Sequence, residues 1–317
     1  MADAMKENEL LKKRTLTSFS ERFNARNYSA ASNVLIKYPA ALGDTLTITA
    51  IVSELKRYYP HLKIYISGEE YLSGIFDYHP DIESYIPLNS DELIFIETIC
   101  DEIVDYNNII ALMPDYYNRI SYMDIFGNIA GIKFVNRGIV YRVTDEESEW
   151  AIKTVRGFIG SRKAVALHLQ TNKDAHRSYP HGIGLISELS SLNPELVFIN
   201  MGLEPVNGQH PALFDCPGQR ITGIRGQIAI ASLCDYFITV DSAFFHVGHN
   251  LFNKPTLVIT GITNPALIGN PAAGFSWIRN ENSEFLDSYW QKPGVNDSMT
   301  GLLPVAIAGK FTEEILK

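Results

Sequence analysis

The stretch that decides the fold is Cys234-Asp235-Tyr236-Phe237-Ile238-Thr239-Val240-Asp241-Ser242-Ala243-Phe244-Phe245-His246, followed by Lys254-Pro255-Thr256-Leu257-Val258-Ile259-Thr260-Gly261. Tyr236 to Val240 and Thr256 to Thr260 are short apolar runs rich in β-branched residues, the composition of strands buried on both faces. Between them Ser242 to Leu251 reads as a helix whose first turn is small and polar. Strand, helix and strand in this order make a parallel βαβ unit. Asp241 is the expected N-cap of that helix. The free N–H groups behind it, with the positive end of the helix dipole, suit an anion. His246 lies one turn further in, where a lone histidine is more often structural than functional.

The same alternation extends in both directions. Asn33 to Lys37, Lys63 to Ser67, Ile82 to Leu88 and Asn108 to Met113 are expected strands. Ile48, Ile51, Val52 and Leu55 share one helical face, and further helices are expected over Asp91 to Val104 and Arg119 to Ala130. Thr144-Asp145-Glu146-Glu147 has capping-box spacing and opens a helix to about Ile159 that joins two halves. The second half resumes with Ala164 to Leu169 and Leu196 to Asn200 as strands, and Ile183 to Leu192 and Gln227 to Cys234 as helices. Residues 270 to 303 read as loop, and a last helix starts at Thr312. The expected division is an arm over 1–28, a first domain over 29–150 and a second over 151–317, with the last helix returning to the first domain. The fold class is α/β, two Rossmann-like doubly wound domains. Two such halves imply a central cleft, with ligands beyond the carboxyl ends of the strands.

Composition narrows the function. The chain has 317 residues, 27 Lys and Arg against 36 Asp and Glu, and a net charge of −9. That balance opposes non-specific nucleic-acid binding, which depends on neutralising phosphates. A local basic site for a small anion stays compatible with it. Cys100, Cys216 and Cys234 are widely spaced without a CxxC, which argues against a disulfide framework or a thiolate zinc site. No apolar run reaches the roughly 18 residues of a membrane span. Met1 to Asn27 lacks the apolar core of a secretory signal. The expected location is therefore the cytoplasm, and the N-terminal arm is where a peripheral contact with the inner membrane would be sought.

Three further constellations follow strands. Gly43-Asp44 comes after the first, where Asp44 either caps a helix or serves as a general base. Thr171 and Arg177 lie in the loop from His168 to Pro180, where hydroxyls and amides beside a cation suit a diphosphate. Gly202 and Glu204 follow Asn200, and a carboxylate there can accept from both hydroxyls of a ribose. Each has a plain alternative: a helix cap, a solvated loop or a surface turn.

Taken together these residues resemble glycosyltransferase family 9, the heptosyltransferase family. The family shows Gly-Asp opening a helix that ends in a Tyr-Pro-like segment, matched by Leu42-Gly43-Asp44 and Tyr58-Tyr59-Pro60. Its Lys-x-Trp-Pro element is matched by Arg177-Ser178-Tyr179-Pro180. Its Asp-Ser-Gly-x-x-His block, with a later Pro-Thr strand and Gly-x-Thr-x-Pro, is matched by Asp241-Ser242-Ala243-Phe244-Phe245-His246, Pro255-Thr256 and Gly261-Ile262-Thr263-Asn264-Pro265. The likeness runs from about residue 33 to 265 and is most specific in this last block.

The resemblance implies a GT-B fold and an inverting, metal-independent transferase that uses a nucleotide sugar, typically ADP-heptose, without a cofactor or metal ligands. It implies that Asp241, Ser242, Ala243 and His246 bind the diphosphate region, with Thr171 and Arg177 beside them. Glu204 would hold the ribose, with Gly202 beside it among the nucleotide-binding residues, and Asp44 would be the base. The implied acceptor is a hydroxyl of lipopolysaccharide or of another glycan, glycolipid or protein. Ala243 for Gly and Phe244-Phe245 for smaller residues depart from the pattern. Two other readings keep the scaffold: an epimerase-like nucleotide-sugar enzyme, and a non-catalytic nucleotide-binding protein.

Overall fold

A computed structural model describes residues 26–38, 41–107, 109, 120–171, 177–202, 204–206, 208–221, 223–261, 263–268, 275–281, 299 and 301–316. The chain divides into two compact units, Met1–Arg142 and Val143–Lys317.

In the first unit, β1 (Asn33–Lys37), β2 (Lys63–Gly68), β3 (Ser84–Pro87) and β4 (Glu102–Asp105) form a parallel sheet in the order β3-β2-β1-β4. Leu35, Tyr65 and Ile86 pack from one face of this sheet on Leu93 and Ile96 of α2 (Asp91–Ile99). Helix α1 (Leu42–Tyr58) buries Leu46, Ile48, Ile51, Val52 and Leu55, and α3 spans Tyr122–Ile129. The helix expected over Asp91 to Val104 is in fact α2 followed by strand β4. The break comes at Asp101, whose carboxylate accepts the N–H groups of Ser32 (2.7 Å) and Asn33 (2.9 Å) and so ties the turn to the start of β1. The strand expected over Asn108 to Met113 lies, apart from Ile109, outside the described residues.

The second unit has six parallel strands in the order β10-β9-β8-β5-β6-β7. These are β5 (Lys163–His168), β6 (Leu196–Asn200), β7 (Leu213–Asp215), β8 (Tyr236–Val240), β9 (Thr256–Thr260) and β10 (Ser276–Arg279). The entering helix α4 (Asp145–Ile159) has the full capping box, Thr144 and Glu147 each bonding the other's main-chain N–H, and closes at Gly160 with φ 61°. Its Glu147 is clamped by Arg225 of α6 (Ile224–Ser232).

Val165 and Leu167 of β5 and Ile238 and Val240 of β8 share a core with Leu185, Ile186 and Leu189 of α5 (Gly182–Leu192) and Ile307, Ala308 and Phe311 of α8 (Pro304–Glu314). The last helix thus starts eight residues before the expected Thr312, with Pro304 in its first turn, where a missing N–H costs nothing. Its buried face, Ile307, Ala308 and Phe311, shares the second unit's core with α5. Strands β7 and β10 were not anticipated. They are short edge strands with half-buried patterns, which periodicity detects poorly.

This topology positions the candidate residues. In each sheet the chain builds outward on one side of its first strand, then crosses to the other side. Loops leaving the two strands at that point diverge and open a crevice. In the first unit the point lies between β1 and β4, and in the second between β5 and β8.

Candidate functional site

In the second unit β5 and β8 run side by side, His168 level with Thr239. His168 ends its strand 8% exposed and stacks on Phe244, with ring centroids 4.8 Å apart and planes at 14°. Burial pushes the imidazole down to about 4, against its own main-chain hydrogen bond, so the ring is neutral at pH 7. Beyond that intraresidue contact its Nδ1 has no partner. The main chain then turns so that Tyr179 N–H donates to Leu169 O (2.7 Å) and Thr171 N–H to Ser178 Oγ (3.0 Å). The buried Tyr179 hydroxyl donates to Leu302 O (3.0 Å) and anchors the returning strand of the loop. These bonds hold Thr171 and half-buried Arg177 at the mouth of β5. Asn172 to His176 lie outside the described residues.

Across the crevice Asp241 is 8% exposed, and its Oδ2 accepts from Thr263 Oγ1 at 2.7 Å. It is not the helix cap expected from the sequence. Ser242, in extended conformation, holds the N-cap place without a side-chain cap bond. The segment expected as a helix over Ser242 to Leu251 is helical from Ala243 to Leu251, but only its first turn, α7 (Ala243–Phe245), is α-helical, and it continues as a π-helical turn over His246–Leu251. Gly248 explains the change: a Cβ there would lie 2.5 Å from the Phe237 ring, so the backbone is pressed onto β8. One α-helical turn is too short for a helix-dipole anion site. Ser242 Oγ is buried without a partner, as are Thr239 Oγ1 in β8 and Thr260 Oγ1 at the end of the adjacent β9. Orphaned buried hydroxyls cost stability unless something bonds them. His246 is buried, its Nδ1 is 2.9 Å from Asn250 Nδ2, and burial pushes it down to about 4 despite the Asp241 charge.

Gly202 and Glu204 lie on the other side of β5. The buried Asn200 side chain organises their turn: its Oδ1 accepts Gly202 N–H (2.9 Å), and its Nδ2 donates to Glu204 O (3.1 Å) and Asp215 Oδ1 (2.8 Å). Glu204 itself is exposed. A cavity of about 290 Å³ opens beside this turn, lined in part by Gln170, Tyr179, His181, Asn200 and Val206. The structure therefore gathers Thr171, Arg177, Asp241, Ser242, Ala243 and His246 at the β5/β8 crevice, with Gly202 and Glu204 one strand over.

In the first unit Asp44 sits in the first turn of α1, as its third residue. Ala41 is the N-cap and makes no side-chain bond, so Asp44 is not the cap. Instead its Oδ2 accepts the hydroxyl of Tyr38 at 2.5 Å. Tyr38 is the organising residue that the sequence did not single out, since it directly follows β1 with no spacing to mark it, whereas Asn200 belongs to the constellation with Gly202 and Glu204.

No protein-family model matches the sequence, and no curated relative matches it. Solved structures do. A family 9 glycosyl transferase from Veillonella parvula DSM 2008 superposes with TM-score 0.71 over 92% of this chain and 99% of its own, at 14% identity. The fold is GT-B. E. coli ADP-heptose lps heptosyltransferase II shares this GT-B architecture with TM-score 0.65, 14% identity and coverage of 90% and 98%. E. coli heptosyltransferase WaaC, in a structure with ADP, gives 0.56 at 16% identity, covering 89% and 99%.

Proposed function

We propose that this chain is an inverting, metal-independent glycosyltransferase that moves a heptose from ADP-heptose to a hydroxyl of lipopolysaccharide or another glycan, glycolipid or protein. One observation carries the reading. The family-like residues Arg177, Asp241 and Ser242 converge on a GT-B switch point where buried polar atoms lack partners. A diphosphate offers the oxygens those groups need.

In this reading residues 151–317 bind the donor and 29–150 the acceptor. Asp44 takes the proton of the acceptor hydroxyl as its oxygen attacks the anomeric carbon. The bond from that carbon to the diphosphate oxygen breaks, and its electron pair leaves with ADP. Arg177, Thr171, Ser242 and the main chain at Ala243 receive the developing charge, and Glu204 holds the ribose. His246, neutral and buried, bonds as a dipole and not as a cation. The unbridged thiols of all three cysteines suit the cytoplasm, where we place the protein.

Phe244, which departs from the family pattern, supports His168 by stacking, so its presence is compatible with a working site. The test is thermal stability against ADP, UDP, GDP and CMP, then the matching sugars. A native-state ligand raises the melting temperature by mass action. A shift with ADP and ADP-heptose is expected. A shift with another nucleotide alone would change the donor, and no shift with any would remove the proposal.

A further inference from the structure

We propose that Tyr38 is a positioning residue for Asp44, holding its carboxylate ionised and in one orientation; this rests on the reading of Asp44 as the base. Tyr38 directly follows β1, and its main-chain N–H donates to Ser67 O at 2.8 Å, so the ring is placed by the sheet. The ring is 5% exposed and packed edge-on against Tyr106 (5.9 Å) and Phe126 (5.6 Å). Gly68 lets the chains approach this closely, since a Cβ there would lie 2.5 Å from Tyr38 O. A phenol fixed on all sides delivers its one hydrogen bond in a single direction, and that direction is Asp44 Oδ2.

The bond pairs a phenol donor with a carboxylate acceptor, and a hydrogen bond to an ionised carboxylate is stronger than one between neutral groups. Such a donor favours the charged form of its acceptor, which a base must present before it takes a proton. It also removes the rotamer freedom of Asp44, so that the carboxylate does not have to be ordered when the acceptor arrives. The titratable groups facing Tyr38 are Asp44, Tyr71 and Tyr106. Burial holds the Tyr71 and Tyr106 phenols above their ordinary range, and Tyr38 is pushed up by burial and then by the Asp44 charge. All three phenols stay neutral at pH 7 and below, so none of them adds a charge beside Asp44 there.

The test needs no substrate. Protein labelled with ¹³C at aspartate carboxyls is titrated by NMR, with the Asp44 signal assigned by its loss in Asp44→Asn. Tyr38→Phe is expected to raise the Asp44 midpoint by about one pH unit. A midpoint that does not move overturns the proposal, even if stability falls. Should Tyr38→Phe fail to fold, the wild type decides. The Tyr38 hydroxyl proton should give a far-downfield signal that disappears as Asp44 is protonated, and a signal indifferent to that titration overturns the proposal. The base reading itself is tested separately: Asp44→Asn retaining full turnover of ADP-heptose would remove it while leaving the titration result standing.

Discussion

His168 and Phe244 stack face to face at 4.8 Å, joining the end of β5 to the single helical turn after β8. This contact spans the second unit's switch point between β5 and β8. Phe244 is 2% exposed, so Phe244→Ala leaves a cavity that the packed strands fill only in part. The expected loss is about 3–5 kcal/mol, read from urea unfolding. ADP affinity should fall with it, because Ser242 and Ala243 ride on the same turn. Unchanged ADP affinity in a destabilised variant would separate the stack from the site.

His168 and His246 also make stability depend on pH. Both are held near 4 by burial, against an ordinary value of 6.5. The unfolded chain therefore binds more protons than the folded one between those values. The stabilisation is complete above pH 6.5 and is lost as pH falls towards 4, on the order of 3 kcal/mol for each histidine. The unfolding free energy should drop between pH 6.5 and 4.5, before carboxylates contribute strongly. Replacing His168 by Gln should flatten that part of the curve. A stability constant down to pH 5 would contradict the burial of both rings.

The proposed nucleotide site makes a prediction of its own. Ser242→Ala removes a hydroxyl that is buried without a protein partner, so the free protein should lose little stability or gain some. ADP binding should weaken about tenfold, the scale of one hydrogen bond to a charged group. Arg177→Lys keeps the charge but loses the planar fork, and should weaken ADP less than Arg177→Ala does. Calorimetric titration with ADP checks the order. Equal affinities across the series would place the diphosphate elsewhere.

The strands central to both sheets were legible because burial on two faces writes continuous β-branched runs such as YFITV and LVFIN. The motif residues could be placed at strand ends because a doubly wound fold leads each strand into a loop at its carboxyl end. The misses have local causes. Strand β4 was absorbed into a helix because the Asp101 turn depends on Ser32 and Asn33, distant in sequence. The helix after Asp241 became a π-helical turn because Gly248 meets Phe237, a contact that no periodicity contains. Asp241 bonds Thr263 instead of capping, since the loop after β9 comes within reach only once the sheet has formed. Tyr38 was passed over for the same reason: its partner is set by geometry.

Glu54 is the carboxylate whose loss should matter most to the first unit. It is 2% exposed in α1, accepts Arg57 Nε and Nη2 at 3.0 and 2.8 Å, and accepts the N–H groups of Val135 (3.2 Å) and Asn136 (2.8 Å). Burial acts to raise its pKa, but the bonds to Arg57, Asn136 and Val135 outweigh it and hold the carboxyl below its ordinary value of 4.5. A depressed folded pKa gives stability that is present above about 4.5 and lost as pH falls through the folded value. Glu54→Gln keeps the shape but cannot accept all four bonds, and it leaves main-chain N–H groups poorly paired. The expected cost is about 1–3 kcal/mol at pH 7, shrinking as the pH is lowered and the wild-type carboxyl is itself protonated. Urea unfolding of both proteins at pH 7 and pH 3.5 measures this. A difference that stays constant between the two pH values would mean that the charge of Glu54 contributes nothing to holding the 135–136 loop on α1.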